Sequence, residues 1–203
     1  VEYKDVVYRR RMVRNYDPDR PVPRDAVDRL LQYAVHAPSA GFSQGWGFLV
    51  LDDPADLDLF WTATTPKNMA GSGWLDGMRN APLIVVPLSN RDIYLDRYAE
   101  ADKGWSDRAE HRWPVPYWHI DAGFASLLML LGAVDEGLGA CFFGIPADLT
   151  EEFRKAFGVP GEYTPVGAIT VGYRAPDRPS PSLRRGRRNV AQVAHRGRWG
   201  AGY

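Results

Sequence analysis

The chain has 203 residues, 25 basic and 25 acidic side chains and a formal net charge of zero, a length that fits one domain or two small ones and is ample for a hydrophobic core. Hydrophobic residues at 45%, aromatics at 12% and charged residues at 25% form an ordinary globular profile, which argues against disordered, collagen-like and coiled-coil classes. The single cysteine, Cys141, excludes an intrachain disulfide and makes a reducing cytosol the expected location. Residues Val1 to Asp5 offer no apolar signal core, and the longest mainly apolar run, Ala122 to Val134, is interrupted by Gly123, Ser126 and Gly132. On its length, that run is expected neither to span nor to anchor in a membrane.

In chain order, Val27, Leu30, Leu31, Ala34 and Val35 fall on one helical face, opened by Pro23 and Asp25 and closed before Pro38. Trp46 to Leu51 reads as a strand, and Ala55 to Thr62 as a helix. Pro82 to Leu88 is a second apolar strand, with Pro87 expected near its end because proline cannot donate to a ladder. Arg91 to Val115 reads as irregular, with Tyr94, Tyr98, Trp105, His111 and Trp113 set among charges. It is either a surface excursion whose aromatics pack locally or a lid over a pocket. Tyr117 to Glu136 is a long helix, apolar on most of its circumference, which suits an interior or a subunit interface.

Gly137 and Gly139 stop that helix, and Ala140 to Phe143 form a short strand. Asp148 and Glu151 make a capping-box-like pair opening a helix that ends near Gly158 and Pro160. Val166 to Tyr173 is the last strand, and the prolines, serines and glycine of Arg174 to Arg188 make an extended tail. Alternating helices and strands without a boundary imply one domain over residues 1–203, with residues 174–203 as a C-terminal arm.

Neutrality hides a segregation of charge. Residues 1–14 carry +3, residues 174–203 carry +7 with eight arginines against Asp177, and the stretch between them carries −10. Of the 25 basic residues, 21 are arginine, the forked and permanently charged donor suited to phosphate and carboxylate. The clusters Arg9, Arg10, Arg11, Arg14 and Arg184, Arg185, Arg187, Arg188 are either solvated faces or the two halves of an anion site. An acidic middle repels a polyanion, so nucleic acid is not expected as a partner, whereas one compact phosphate fits.

The four histidines show no metal-ligand spacing, and no nucleophile elbow, Walker A or dinucleotide fingerprint occurs. Cys141 lies among apolar neighbours and reads as a small buried hydrophobe. With neither a metal site nor a catalytic constellation indicated, the chemistry is expected to reside in a cofactor that the protein binds and orients.

Several blocks then resemble, in order, the FMN-dependent nitroreductase family. Arg10-Arg11-Met12-Val13-Arg14-Asn15-Tyr16 is similar to its N-terminal R-R-S-x-R-x-F/Y motif, and Pro21-Val22-Pro23 to the P-V-P before its next helix. Ala37-Pro38-Ser39-Ala40-Gly41-Phe42-Ser43-Gln44-Gly45-Trp46 resembles A-P-S-x-x-N-x-Q-P-W. Ile120 to Gly144 resembles the central helix and following strand, and Val171-Gly172-Tyr173 with the arginine-rich tail resembles the closing strand and basic arm. The likeness is weakest between Ala55 and Val115.

The resemblance implies an α+β fold, a central sheet flanked by helices, in an obligate homodimer whose C-terminal arms exchange, with FMN at two interfacial sites. By that match Arg10, Arg11, Met12 and Arg14 hold the phosphate and polar flavin groups, and Arg185 and Arg187 close on the same phosphate. Pro38, Ser39 and Ala40 of the other subunit line the flavin edge, while Phe143 and Gly144 face the isoalloxazine. Three departures bear on the pocket: Met12 stands for serine, Phe42 for asparagine as an aromatic wall of the substrate space, and Gly45 for proline. A ribityl-binding lysine has no counterpart aligned within residues 62–77.

The implied activity is a cytoplasmic flavin oxidoreductase with ping-pong kinetics. NAD(P)H reduces the flavin and leaves, and a small planar acceptor (a nitroaromatic, quinone or activated alkene) takes its place; no side-chain catalytic acid is expected. The alternatives are a same-fold flavin-fragmenting or dehalogenating enzyme, and a protein that only sequesters a flavin or deazaflavin.

Overall fold

A computed structural model describes residues 2–69 and 73–203. Its centre is strand β2 (Leu83–Asn90), buried at every residue. β1 (Trp46–Leu51) pairs along one side of it, from Trp46 opposite Ser89 to Leu51 opposite Ile84. On the other side β5 (Ala168–Gly172) pairs with Leu83 to Val85, and the short β4 (Tyr163–Pro165) takes over at Leu88 to Asn90. β3 (Gly139–Phe143) completes the order β1-β2-β5-β3, and every one of these strand pairs is antiparallel. The fold class is therefore α+β.

Pro87 lies inside β2, opposite Phe48, and not near its end. Its carbonyl accepts from the Val166 amide at 3.0 Å. The amide and carbonyl of one strand residue point to the same side, so the missing donor falls in the gap between β5 and β4, where it costs no ladder bond. The strand expected over Val166 to Tyr173 is β5, Ala168–Gly172, and β4 lies before the expected range.

Period-two alternation distributes the apolar side chains between two layers. Leu83, Val85, Ala140, Ile169 and Val171 face α2 (Arg24–Val35) and α6 (Tyr117–Asp135) through Leu30, Ala34, Ala125, Met129 and Ala133. Ile84, Val86, Leu88, Cys141 and Ala168 face Phe60 and Trp61 of α3 (Pro54–Thr64), Leu75 and Met78 of α4 (Gly73–Arg79), and Phe153 of α7 (Thr150–Phe157). The 19 residues of α6 exceed the apolar run visible in sequence and match a membrane span in length and composition, yet 56% of the qualifying stretch is buried within the protein. Phe124 and Leu127 remain exposed along one side of α6.

Two further expectations are corrected. Arg91–Ala99 forms helix α5, because the Asn90 side chain accepts from the Asp92 and Ile93 amides and caps it. The pair Asp148 and Glu151 makes no capping box: a 3-10 turn, Ala147–Leu149, leads into α7, whose N-cap Leu149 supplies no side-chain bond. Gly158, left-handed at φ +62°, ends α7 as expected.

After α1 (Tyr3–Arg9) the chain runs extended along the free edge of β3. Met12 bridges Ala140 in parallel, Val13 N–H donates to the Ala140 carbonyl at 3.0 Å, and Tyr16 bridges Arg174. The Tyr16 ring is fully buried, donating its hydroxyl to the Val13 carbonyl at 2.7 Å and sharing a 2.9 Å bond with the Thr170 hydroxyl. Burial pushes its phenol pKa well above the usual value. Tyr16→Phe is expected to lower unfolding free energy by about 1–2 kcal/mol, since it leaves buried partners unsatisfied. Urea denaturation checks this; an unchanged midpoint would show that the hydroxyl does not hold the segment.

Candidate functional site

The docked N-terminal segment and the start of the tail meet at one place. Asp17 N–H donates to the Tyr173 carbonyl at 2.9 Å, and Ala175 N–H to the Asn15 carbonyl at 3.1 Å. Asn15 Nδ2 reaches the Pro176 carbonyl at 2.8 Å, and Arg14 N–H reaches Asp177 Oδ2 at 2.9 Å. The two basic ends therefore share a seam. A cavity of about 780 Å³ opens beside it, lined by Arg14, Asn15, Asp76, Asn80, Asp177 and Arg178 among others.

The arginines here differ from those of the acidic body. Arg24, Arg29, Arg91, Arg97, Arg108, Arg112 and Arg154 are each ion-paired with a carboxylate. Among the described residues, no ion pair joins a carboxylate to Arg9, Arg10, Arg11, Arg14 or Arg174, nor to any arginine after it. Arg10 Nη1 is buried without a hydrogen-bond partner. Arg174 is depressed in pKa, first by burial and then by the neighbouring charges of Arg11 and Arg9. The like charges around Arg174 and the unsatisfied buried nitrogen of Arg10 both favour an anion nearby.

Met12 lies between Arg10 and Arg14, and its side chain is committed to the sheet: the Phe142 amide donates to its sulfur at 3.4 Å. Phe143 turns its ring into the second core layer, stacked on Trp61 at 5.6 Å and 7°, while Gly144 is exposed. Such an orientation leaves main-chain groups, not the Phe143 ring, to face a ligand. Arg185 and Arg187 lie exposed in the tail, which contains short 3-10 turns at Pro181–Arg185 and Val190–Gln192; the side chains of both arginines are without hydrogen bonds to other described residues.

Pro38, Ser39 and Ala40 sit elsewhere, with Ala40 N–H donating to Asp121 Oδ2 near the start of α6 at 2.8 Å. Arg174 bonds the Leu138 carbonyl just past the other end of that helix at 3.4 Å. At 1.5 Å per residue, α6 separates these two contacts by about 20 Å. One chain thus does not bring its flavin-edge loop to its own arginine seam. Phe42, 74% exposed, projects from the same loop.

The excursion after β2 packs on itself: the Trp113 ring lies 4.5–6.1 Å from those of Tyr94, Tyr98, Trp105 and Trp118, the shortest distance being to Tyr98. Pairs such as Arg91 with Glu110 at 2.9 Å and Arg108 with Asp96 at 2.7 Å tie its charged surface together. Sequence reasoning passed over Tyr94 and Asp121 as a pair; the Tyr94 hydroxyl donates to Asp121 Oδ2 at 2.8 Å. Their separation along the chain left no local signal. His119 bonds Ser89 through Nδ1 at 2.8 Å and so points away from Asp121's partners. Among the described residues no group of His, Cys, Asp or Glu is arranged to hold a metal.

The sequence profile of the nitroreductase family matches residues 7–173, and the chain belongs to that family. YdgI of Bacillus subtilis (strain 168), named as a candidate NAD(P)H nitroreductase, is 36% identical over 194 residues, covering 86% of this chain and 89% of its own. YodC of the same organism, similarly named, is 25% identical over 178 residues, covering 83% and 87%. In structure, a candidate nitroreductase of Desulfovibrio desulfuricans solved in complex with FMN superposes with a TM-score of 0.66 at 23% identity, covering 96% of this chain and 95% of that one.

Cys141 is buried, and that burial pushes its thiol up to about 11, which leaves almost no thiolate at neutral pH. The native protein is expected to be inert to Ellman's reagent at pH 8 and to titrate one thiol per chain in urea. Rapid labelling of the native protein would contradict the burial and reopen Cys141 as a nucleophile.

Proposed function

We propose that the protein is an NAD(P)H-dependent flavin oxidoreductase that holds FMN between two copies of the chain and reduces planar acceptors such as nitroaromatics, quinones or activated alkenes. One observation carries this reading: among the described residues the arginines of the two termini lack carboxylate partners, and Arg10 buries an unsatisfied guanidinium nitrogen in the N-terminal cluster. A dianionic phosphate supplies the missing acceptors. Membership of the nitroreductase family, relatives named for NAD(P)H-dependent nitro reduction and a structural neighbour carrying FMN all support the same cofactor and reductant.

Arg10, Arg11 and Arg14 would hold the phosphate and polar flavin groups, with the main chain of Phe143 and Gly144 reading the ring's polar rim. The separation of about 20 Å along α6 supports assigning Pro38, Ser39 and Ala40 to the site of a second copy. The exposed apolar side of α6 and the extended arm bearing Arg185 and Arg187 suit the same homodimer. FMN, when bound, supplies electron transfer in two half-reactions, first from the nicotinamide and then to the acceptor. The protein's own groups supply binding, orientation and a positive environment, so no side-chain acid is needed.

Arg10→Ala and Arg187→Ala are each expected to weaken FMN retention by about 1.5–3 kcal/mol, the value of one charge-assisted contact. Fluorescence titration of the apoprotein measures this. Unchanged affinity in both variants would refute a phosphate shared by the two termini.

A further inference from the structure

The loop from Ser39 to Gly45 is held in a conformation its residues resist. Gly41, Phe42 and Gln44 all have positive φ, at 60°, 55° and 52°, and for a residue with a Cβ this left-handed region is disfavoured. Such a conformation persists only when its surroundings over-determine it. The turn is held from within by Phe42 N–H to the Ser39 carbonyl at 2.9 Å and Gln44 N–H to Ser39 Oγ at 3.0 Å, and from outside by one buried pair. Ala40 N–H, at the start of the loop, donates to Asp121 Oδ2 at 2.8 Å. Gly45, at its end, packs directly against the Tyr94 ring. Tyr94 in turn donates to the same Asp121 oxygen at 2.8 Å. Both Tyr94 and Asp121 are buried, at 0% and 2% exposure.

The middle of the loop is fixed from the same direction. Arg97 Nε donates to the Gly41 carbonyl at 3.0 Å, and the Tyr98 ring lies where a Cβ on Gly41 would stand. Gly45 completes the device. Its missing Cβ leaves room for the Tyr94 ring, which would lie 2.4 Å from that atom. Proline at position 45 would put its Cβ into that ring.

We propose that Tyr94 and Asp121 clamp this loop, Asp121 at Ala40 through its carboxylate and Tyr94 at Gly45 through its ring, fixing Phe42 as a specificity-determining wall for planar acceptors. The inference rests on the flavin oxidoreductase reading above for its substrate class. Tyr94 and Asp121 are positioning residues: they act through the loop, and Phe42 is the side chain an acceptor meets. A clamped, exposed ring favours flat aromatic acceptors over compact ones, because the stacking surface needs no ordering on binding.

The test uses the full-length protein and Tyr94→Phe, which keeps the ring beside Gly45 and removes only the hydroxyl. Hydrogen exchange of the Ala40 amide should accelerate at least about tenfold. KM for a nitroaromatic should rise about three- to tenfold, with FMN content and the rate of anaerobic flavin reduction by NAD(P)H unchanged. On a Phe42→Ala background, Tyr94→Phe should leave KM unmoved. Asp121→Asn, which preserves side-chain size, should shift exchange and KM in the same direction. Unchanged exchange, or a KM effect that persists in full without Phe42, would overturn the proposal. Failure of NAD(P)H to reduce the native flavoprotein would overturn the functional reading instead, and the exchange result would still decide whether the clamp exists.

Discussion

The addition of residues Met12 to Asp17 to the free edge of β3 is the contact on which the rest of the site depends. An unpaired strand edge is a row of unsatisfied donors and acceptors, and here it is covered by the chain's own start. Tyr16 fastens that cover from below through Val13 and Thr170, and the chain emerging from β5 closes over it at Tyr173 and Ala175. Two termini that are remote in sequence are thereby joined along one seam. That topology brings their excess positive charge together, and Arg10 Nη1 lies buried without a partner in the N-terminal cluster.

This arrangement answers how a neutral protein can be built to take an anion. The acidic body consumes its own arginines in ion pairs such as Arg29 with Glu136 at 2.7 Å and Arg97 with Asp102 at 2.7 Å. Exposed pairs of this kind add little stability, but they tie these arginines to local carboxylates, whereas among the described residues the terminal arginines have none. A long duplex would meet the acidic body as well as the seam; a single phosphate meets only the seam.

Much of the architecture is legible in the sequence because its causes are local. The apolar face of α2, the strand β1, the all-round apolar α6 and the stop at Gly158 follow from spacing and turn chemistry. Helix α5 was also locally encoded, by the Asn90 cap, but the charges and aromatics that follow it disguise the signal. Pro87 misleads for a different reason: whether a proline is tolerated depends on which neighbour lies beside it, and that is set by β4 and β5 some 80 residues later in the chain, a separation of roughly the 77–84 residues read from the register itself. The arginines of the site were visible as a charge pattern. Tyr94 and Asp121 were not, since a buried hydrogen-bonded pair from two helices leaves neither a periodicity nor a motif.

The central claim is that the seam of terminal arginines exists to hold the phosphate of a flavin nucleotide. Comparing the affinity of the apoprotein for FMN and for riboflavin, which share the ring and ribityl chain and differ only in that phosphate, tests it most directly. The account predicts that FMN binds at least about a hundredfold more tightly, the value of two charge-assisted contacts, and that the gap narrows as salt is added. Equal affinity for the two flavins would contradict it.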